Sequence, residues 1–217
     1  MQYVTPLRYP GGKGRLTQFV ADLMDDNGLV GGHYIEPYAG GSAVALSLLM
    51  LEYASHVHIN DLNRSIHAFW ISVLEDTDSL CSLISSKRVT IAEWNRQRAV
   101  QKDPDADVLE LAYSTFFLNR ANRSGIILGG VIGGKAQTGA WKLDARFNKS
   151  DMIRRIQRIA MLRHSITLYN LDAAKLLVQV LPKIPRRSLV YLDPPYYVKG
   201  KGLYEDHYHH QDHVQFS

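Results

Sequence analysis

Cysteine is almost missing from this sequence: Cys81 is the single one in 217 residues. That excludes an internal disulfide framework and a zinc site built on cysteine pairs, and it suits a reducing compartment. No run approaches 18 consecutive apolar residues, so no segment is expected to span a membrane as a helix. No apolar stretch of secretory type precedes Pro6 and Pro10. Together these readings predict a cytoplasmic protein. Repeats and low-complexity linkers are absent, and hydrophobic residues at 46% against 21% charged leave an ordinary globular chain. Charge of one sign is in modest excess, with a formal charge of +4 and a pI of about 9.1. That balance is compatible with a polyanionic partner without requiring one.

Two nucleotide fingerprints are lacking as well. G-x-G-x-x-G does not occur. Gly11-Gly12-Lys13-Gly14 is no Walker A loop, because Leu7 stands where its first glycine belongs and Gly14 where a hydroxyl belongs. Gly129 to Lys135 has that spacing, but Ala136 carries no hydroxyl for magnesium. His207, His209, His210 and His213 crowd the tail without convincing ligand spacing, so no metal is assigned and they read as surface or helix-end residues.

What the sequence does contain is organised around Asp193-Pro194-Pro195-Tyr196. The apolar run Ser188 to Leu192 reads as a buried parallel strand. Two prolines in succession can neither continue a ladder nor enter a helix, so the strand stops with the Asp193 carboxylate at its C-terminal end. Ligands of open α/β sheets bind there. A carboxylate, rigid proline carbonyls and the Tyr196 ring suit a flat heterocycle bearing an amino group. A strand-ending Asp before a proline turn also occurs without any chemistry.

Earlier in the chain, Gly11 and Gly12 allow close backbone approach, and Lys13 can meet a carboxylate or phosphate. A helix follows with Leu16, Phe19, Val20, Leu23 and Met24 on one face, stopping at Asn27-Gly28. Tyr34-Ile35-Glu36-Pro37-Tyr38-Ala39-Gly40-Gly41 then an apolar helix from Ala43 has the strand, glycine-turn, helix layout of a nucleotide half-site. Asp61, twenty residues past Gly41 at the end of the strand-like run His56 to Asn60, is placed to bond ribose hydroxyls. This pairing points to an adenosine-containing cofactor.

From Ser65 to about Asn119 the pattern is helical, with its aromatics in the core and a capping box at Thr90. Asn119 to Asn148, with glycines at 129, 130, 133 and 134, predicts a hairpin. There Asn119, Arg120, Asn122, Arg123 and Lys135 offer donors suited to bases and phosphates. Lys142 to Arg163 holds seven basic and two acidic residues. Ser150 is expected to cap a helix that turns Arg154, Arg155 and Arg158 outward, as a solvated face or a phosphate track. Ser165 to Tyr169 reads as a further strand, followed by Asp172 and a helix.

Arg8-Tyr9-Pro10-Gly11-Gly12-Lys13, Glu36-Pro37-Tyr38-Ala39-Gly40-Gly41, Asn60-Asp61-Leu62-Asn63, Phe117-Leu118-Asn119-Arg120 and Asp193-Pro194-Pro195-Tyr196-Tyr197, in this order, resemble the DNA adenine methylase family. These are α-group, S-adenosylmethionine-dependent N6-adenine methyltransferases. The resemblance implies an α/β, Rossmann-like methyltransferase fold. Residues 1–63 and 163–217 would form the catalytic domain, and 64–162 an inserted helical and hairpin DNA-recognition subdomain. It implies that Tyr9, Lys13, Glu36, Pro37, Tyr38, Ala39, Gly40, Gly41, Asp61 and Asp172 hold S-adenosylmethionine. Asp193 and the Pro194 carbonyl would accept from the target amino group, with Pro195 and Tyr196 completing the site and Tyr196 stacking on a flipped base. Asn119, Arg120, Arg123, Lys135, Arg154 and Arg155 would meet double-stranded DNA.

Two departures from the family pattern stand out. The recognition segment lacks the motif of GATC-specific members, which leaves the target sequence open. Family members also continue beyond the position of Ser217 with a helix, a parallel strand and an antiparallel pair. Ending there would leave Ser188–Leu192 as an uncharged sheet edge, so the chain is expected to form a homodimer or aggregate through it. An inactive remnant that binds cofactor or DNA, and methylation of the cytosine amino group, remain alternatives.

Overall fold

The structure, a computed structural model, describes residues 4–8 and 14–194. These residues divide into two compact units, one from 13–67 and from 164 onward, the other from the N-terminal segment up to residue 12 and 68–163.

The first unit is a parallel sheet with helices. Its strands are β1 (Gly32–Glu36), β2 (Ala54–Asn60), β3 (Ile166–Tyr169) and β4 (Ser188–Val190), in the spatial order β3-β2-β1-β4. All three pairings are parallel. The chain therefore builds outward from β1 through β2 to β3, then returns to the other side of β1. That reversal makes the β1–β4 boundary the topological switch point. Gly32 permits the return strand to approach, because a Cβ there would collide with the Arg187 carbonyl oxygen. The ladder runs past β4, since the Tyr191 N–H donates to Ile35 O at 2.9 Å. Among the described residues β4 is the last strand on its side.

Helix α1 (Thr17–Asp26) buries Thr17, Val20, Ala21 and Met24. Phe19, expected inside, is exposed, because the inward face is centred one position away from it. Asn27 and Gly28 end the helix as anticipated, with Gly28 at φ +65°. The nearly all-apolar α2 (Ala43–Met50) is buried along most of its length. α8 (Ala173–Gln179) buries Ala173 and Leu176. One sheet face carries imidazoles. His33 Nδ1 lies 2.9 Å from His58 Nε2, His58 Nδ1 lies 3.0 Å from the Tyr169 hydroxyl, and His56 Nε2 lies 2.8 Å from Thr167 Oγ1.

The second unit is helical: α4 (Thr77–Ser86), α5 (Ile91–Val100), α6 (Val108–Ala121) and α7 (Lys149–Ala160), with α3 (Arg64–Glu75) beginning in the first unit. Phe69, Trp70, Phe116, Phe117 and Phe147 pack edge-on, tilted or stacked in its core; the first four are core residues as expected. Thr90 caps α5 by accepting from the Glu93 N–H at 3.2 Å. The reciprocal half of the capping box is replaced, because the Glu93 carboxylate accepts from Gln97 Nε2 at 2.6 Å.

Three local expectations are corrected. Asn148, not Ser150, caps α7, accepting from the Asp151 N–H. Arg155 does not face outward: it donates to Thr5 O at 3.1 Å and pairs with Asp151 at 2.6 Å, whereas Arg154 does face solvent. The hairpin is not formed among the described residues, where a single antiparallel bridge joins Asn122 and Val131. The buried Asn122 amide donates to Ile126 O and Ile127 O, and Gly125, Gly133 and Gly134 at positive φ curl the segment into turns.

Candidate active site

The C-terminal ends of all four strands lie in one unit and bring Glu36, Asp61, Asp172 and Asp193 to the same edge of the sheet. The loops there are braced by asparagines. Asn60 Nδ2 donates to Pro37 O and Leu171 O, both at 2.9 Å, while Asn60 Oδ1 accepts from the Leu171 N–H. Asn170 Nδ2 donates to Asp61 O and Leu62 O. The turns after β1, β2 and β3 are therefore held together before any ligand arrives. Asn60 lies inside a motif already singled out, but its role as a brace is set by partners 23 and 111 positions away.

Following β1, the turn Pro37–Ser42 places Gly40 at φ +46° and Ser42 at φ +48°. The Ala39 N–H donates to Asn60 O, and the Gly40 N–H to Asp61 Oδ2 at 2.8 Å. The other oxygen of Asp61 accepts from the Asn63 N–H at 3.0 Å. Two backbone donors thus aim this carboxylate. Asn63 in turn caps α3, accepting from the Ser65 and Ile66 N–H groups.

Glu36 is buried at the tip of β1. Its Oε1 lies 3.4 Å from the Tyr34 hydroxyl, while Oε2 has no hydrogen-bond partner among the described residues, and neither has the buried Ser42 Oγ. Burial pushes the Glu36 carboxyl up to about 8; the Tyr34 hydroxyl and the Ala45 backbone oppose this and the Asp193 charge adds to it. The β1–β4 register, which pairs Ile35 with Val190, sets Glu36 beside Tyr191, two residues before Asp193, across the switch point. Asp172 caps α8 through the Ala174 and Lys175 N–H groups. Asp193 and Pro194 follow β4. Tyr9, Lys13, Pro195 and Tyr196, and the tail histidines, lie outside the described residues.

The description "D12 class N6 adenine-specific DNA methyltransferase" matches residues 9–215. The chain belongs to this family. This D12-class methyltransferase is therefore a transferase whose family chemistry is methylation of DNA adenine at N6. No curated protein matches its sequence.

In the helical unit of this D12-class methyltransferase, Asn119 is 1% exposed. It clamps the backbone of residue 8, accepting from the Arg8 N–H at 2.7 Å and donating to Arg8 O at 2.5 Å and Gly125 O at 2.9 Å. Its amide is thus occupied within the protein. Arg120 is largely turned inward too: its Nε donates to Arg146 O at 2.8 Å and its Nη1 lies 3.4 Å from Pro6 O. Burial and the neighbouring Arg8, Arg155 and Arg146 push the Arg120 guanidinium down to about 10, against the pull of Asp151. Arg8 Nη1 is buried without a partner among the described residues. Arg123 is exposed, and the Lys135 ammonium lies 5.8 Å from the centre of the Trp94 ring. Among the described residues no group of three or more acidic, His or Cys side chains is arranged to hold a metal, and no helix is long and apolar enough to cross a membrane.

Proposed function

We propose that the parallel-sheet unit binds S-adenosylmethionine and methylates the 6-amino group of an adenine turned out of double-stranded DNA. The observation that carries this reading is the set of carboxylates at the strand ends, two of them flanking the switch point, in a chain whose family methylates adenine. The unpaired Glu36 Oε2 and Ser42 Oγ fit the ammonium and carboxylate of an amino-acid moiety. Asp61, aimed by two backbone N–H groups, suits the ribose hydroxyls, since a carboxylate offers about four acceptor sites. Pro37 to Gly41 line the turn between them. Asp172 is proposed as a contact to the cofactor adenine. Tyr9 and Lys13 are assigned to the methionine portion by family resemblance alone.

When bound, the cofactor supplies an electrophilic methyl group. The adenine amino nitrogen is a poor nucleophile because its lone pair is delocalised into the ring. Asp193 and the Pro194 carbonyl accept its two hydrogens, which favours a pyramidal nitrogen with an available lone pair. Tyr196 stacks on the base. Extrusion of the base costs a few kcal/mol, offset by stacking and hydrogen bonds.

The helical unit is proposed to engage DNA through the exposed Arg123, Lys135 and Arg154, while Arg120 and Arg155, committed to partners within the unit, support that surface. Asn119 supports it by fixing residue 8. Asp193→Ala tests the assignment. Methyl transfer should fall by about 10²–10³, the typical cost of losing a charge-assisted bond at the reacting centre, while calorimetric binding of S-adenosylmethionine stays close to wild type. Full activity in the variant would remove Asp193 from the reaction.

A further inference from the structure

Three tryptophans occur in the chain, and two are buried: Trp70 is fully enclosed and Trp94 is 5% exposed, whereas Trp141 is 71% exposed. Trp141 does not hang from a loose loop. Gln137, at φ +52°, bolts the segment beneath it, donating through Nε2 to Ile132 O at 2.8 Å and Gly134 O at 2.6 Å. Its Oε1 accepts from the Leu143 N–H at 2.9 Å, and the Lys142 ammonium donates to Gln137 O at 2.6 Å. Gly133, at φ +80°, lies so close that a Cβ would stand 2.5 Å from Trp141 O. Leu143 and Phe147, both buried, anchor the exit of the loop in the core of the helical unit.

The backbone around Trp141 is thus ordered by internal hydrogen bonds, and the indole is left projecting into water. A large aromatic group exposed on a preorganised frame contributes little to stability and is favourable for binding, because little ordering remains to be done when a ligand arrives. The frame carries Lys135 and Lys142, with Asp144 as a nearby acid. Lys135, over the Trp94 ring, and Lys142, whose ammonium donates to Gln137 O, are exposed cations of the same segment as the projecting indole; that combination suits a ligand that is both anionic and planar, and nucleic acid bases on a phosphate backbone have that chemistry.

We infer that Trp141 is a substrate-contacting wedge that places its indole against a base of the DNA duplex and loosens the local stack. This rests on the reading of the chain as a DNA adenine methyltransferase. Apolar side chains inserted at a base step are a known physical means of unstacking it, and an adenine must leave the stack before its amino group can react.

The test uses the full chain with Trp141→Ala and Trp141→Phe, each checked for an unchanged melting curve, and unmethylated duplex DNA. Trp141 is the tryptophan open to solvent, so acrylamide quenching of the free protein reports mainly on it. Saturating DNA should shield that emission. Trp141→Ala should lose duplex affinity by about 5- to 150-fold, the range expected for one base–aromatic stack, with the salt dependence unchanged. Trp141→Phe should retain most of the affinity. The inference is overturned if Trp141 stays open to acrylamide in saturating DNA, or if Trp141→Ala binds and methylates as wild type does. In either case labelled methyl transfer to adenine by the wild type would leave the methyltransferase reading standing. A wild type that neither binds nor methylates DNA would overturn both.

Discussion

Glu36 is a residue whose charge is set by burial. Its folded carboxyl titrates near 8 against an ordinary 4.5, so between those values the folded protein holds a proton that the unfolded chain has lost. Stability is therefore whole below about pH 4.5 and declines as the pH rises toward 8, by on the order of 3–5 kcal/mol as an upper bound. Glu36→Gln removes this titration. Its melting temperature should gain on the wild type steadily between pH 5 and pH 8.5, and parallel pH curves would contradict the burial argument. A cationic ammonium beside Oε2 restores the charged form. Binding of S-adenosylmethionine near pH 7 should then release up to one proton, seen as a calorimetric enthalpy that varies with the buffer's ionisation heat. Glu36→Gln should bind more weakly without that buffer dependence. Asp61→Ala should weaken cofactor binding by on the order of 1.5–3 kcal/mol per charged hydrogen bond removed. The Gly40 turn it braces should loosen too; an unchanged dissociation constant would exclude Asp61 from the ribose site.

At the scale of elements, the strands show what a sequence can and cannot disclose. The ends of β1 and β4 are readable because Pro37 and Pro194 punctuate them, and the end of β2 because Asn60-Asp61-Leu62-Asn63 carries turn-forming side chains. Asn60 and Asn170, which tie the loops, are not readable, since an asparagine's partners are chosen by tertiary placement. The same reason turns the expected hairpin into turns: Asn122 takes the carbonyls of Ile126 and Ile127, and β-branched residues alone do not set pairing. Three histidines on neighbouring strands are visible in the sequence only as parts of an alternating pattern. Burial and the neighbouring imidazoles push His58 down to about 4, and burial and His33 lower His56. The unfolded chain therefore takes up protons first as the pH falls below about 6.5. Stability should drop from there toward pH 4 by on the order of 2–3 kcal/mol. His58→Gln should flatten that limb of the melting curve. An identical acid limb in the variant would mean that the cluster is not titrating.

Over the whole molecule, a mild net charge of +4 conceals its distribution. The exposed cations of the helical unit, Arg154 and Arg158 among them, are proposed to follow phosphates, while Arg155 is committed to Thr5 O and Asp151. Arg154→Gln with Arg158→Gln should weaken duplex binding and lower the slope of log affinity against log salt by about 0.9 for each phosphate no longer neutralised. An unchanged slope would make them a solvated face. The family is shown by a match over most of the chain, and the sheet supplies a topology consistent with it. The catalytic assignment depends on Asp193 accepting from the adenine amino group while the other strand-end carboxylates serve the cofactor. The most direct measurement is transfer of a radiolabelled methyl group from S-adenosylmethionine to unmethylated duplex DNA, followed by digestion to nucleosides. The label should be recovered in N6-methyldeoxyadenosine and disappear with Asp193→Ala. Label in a methylated cytosine nucleoside, or adenine labelling that survives Asp193→Ala undiminished, would contradict the account.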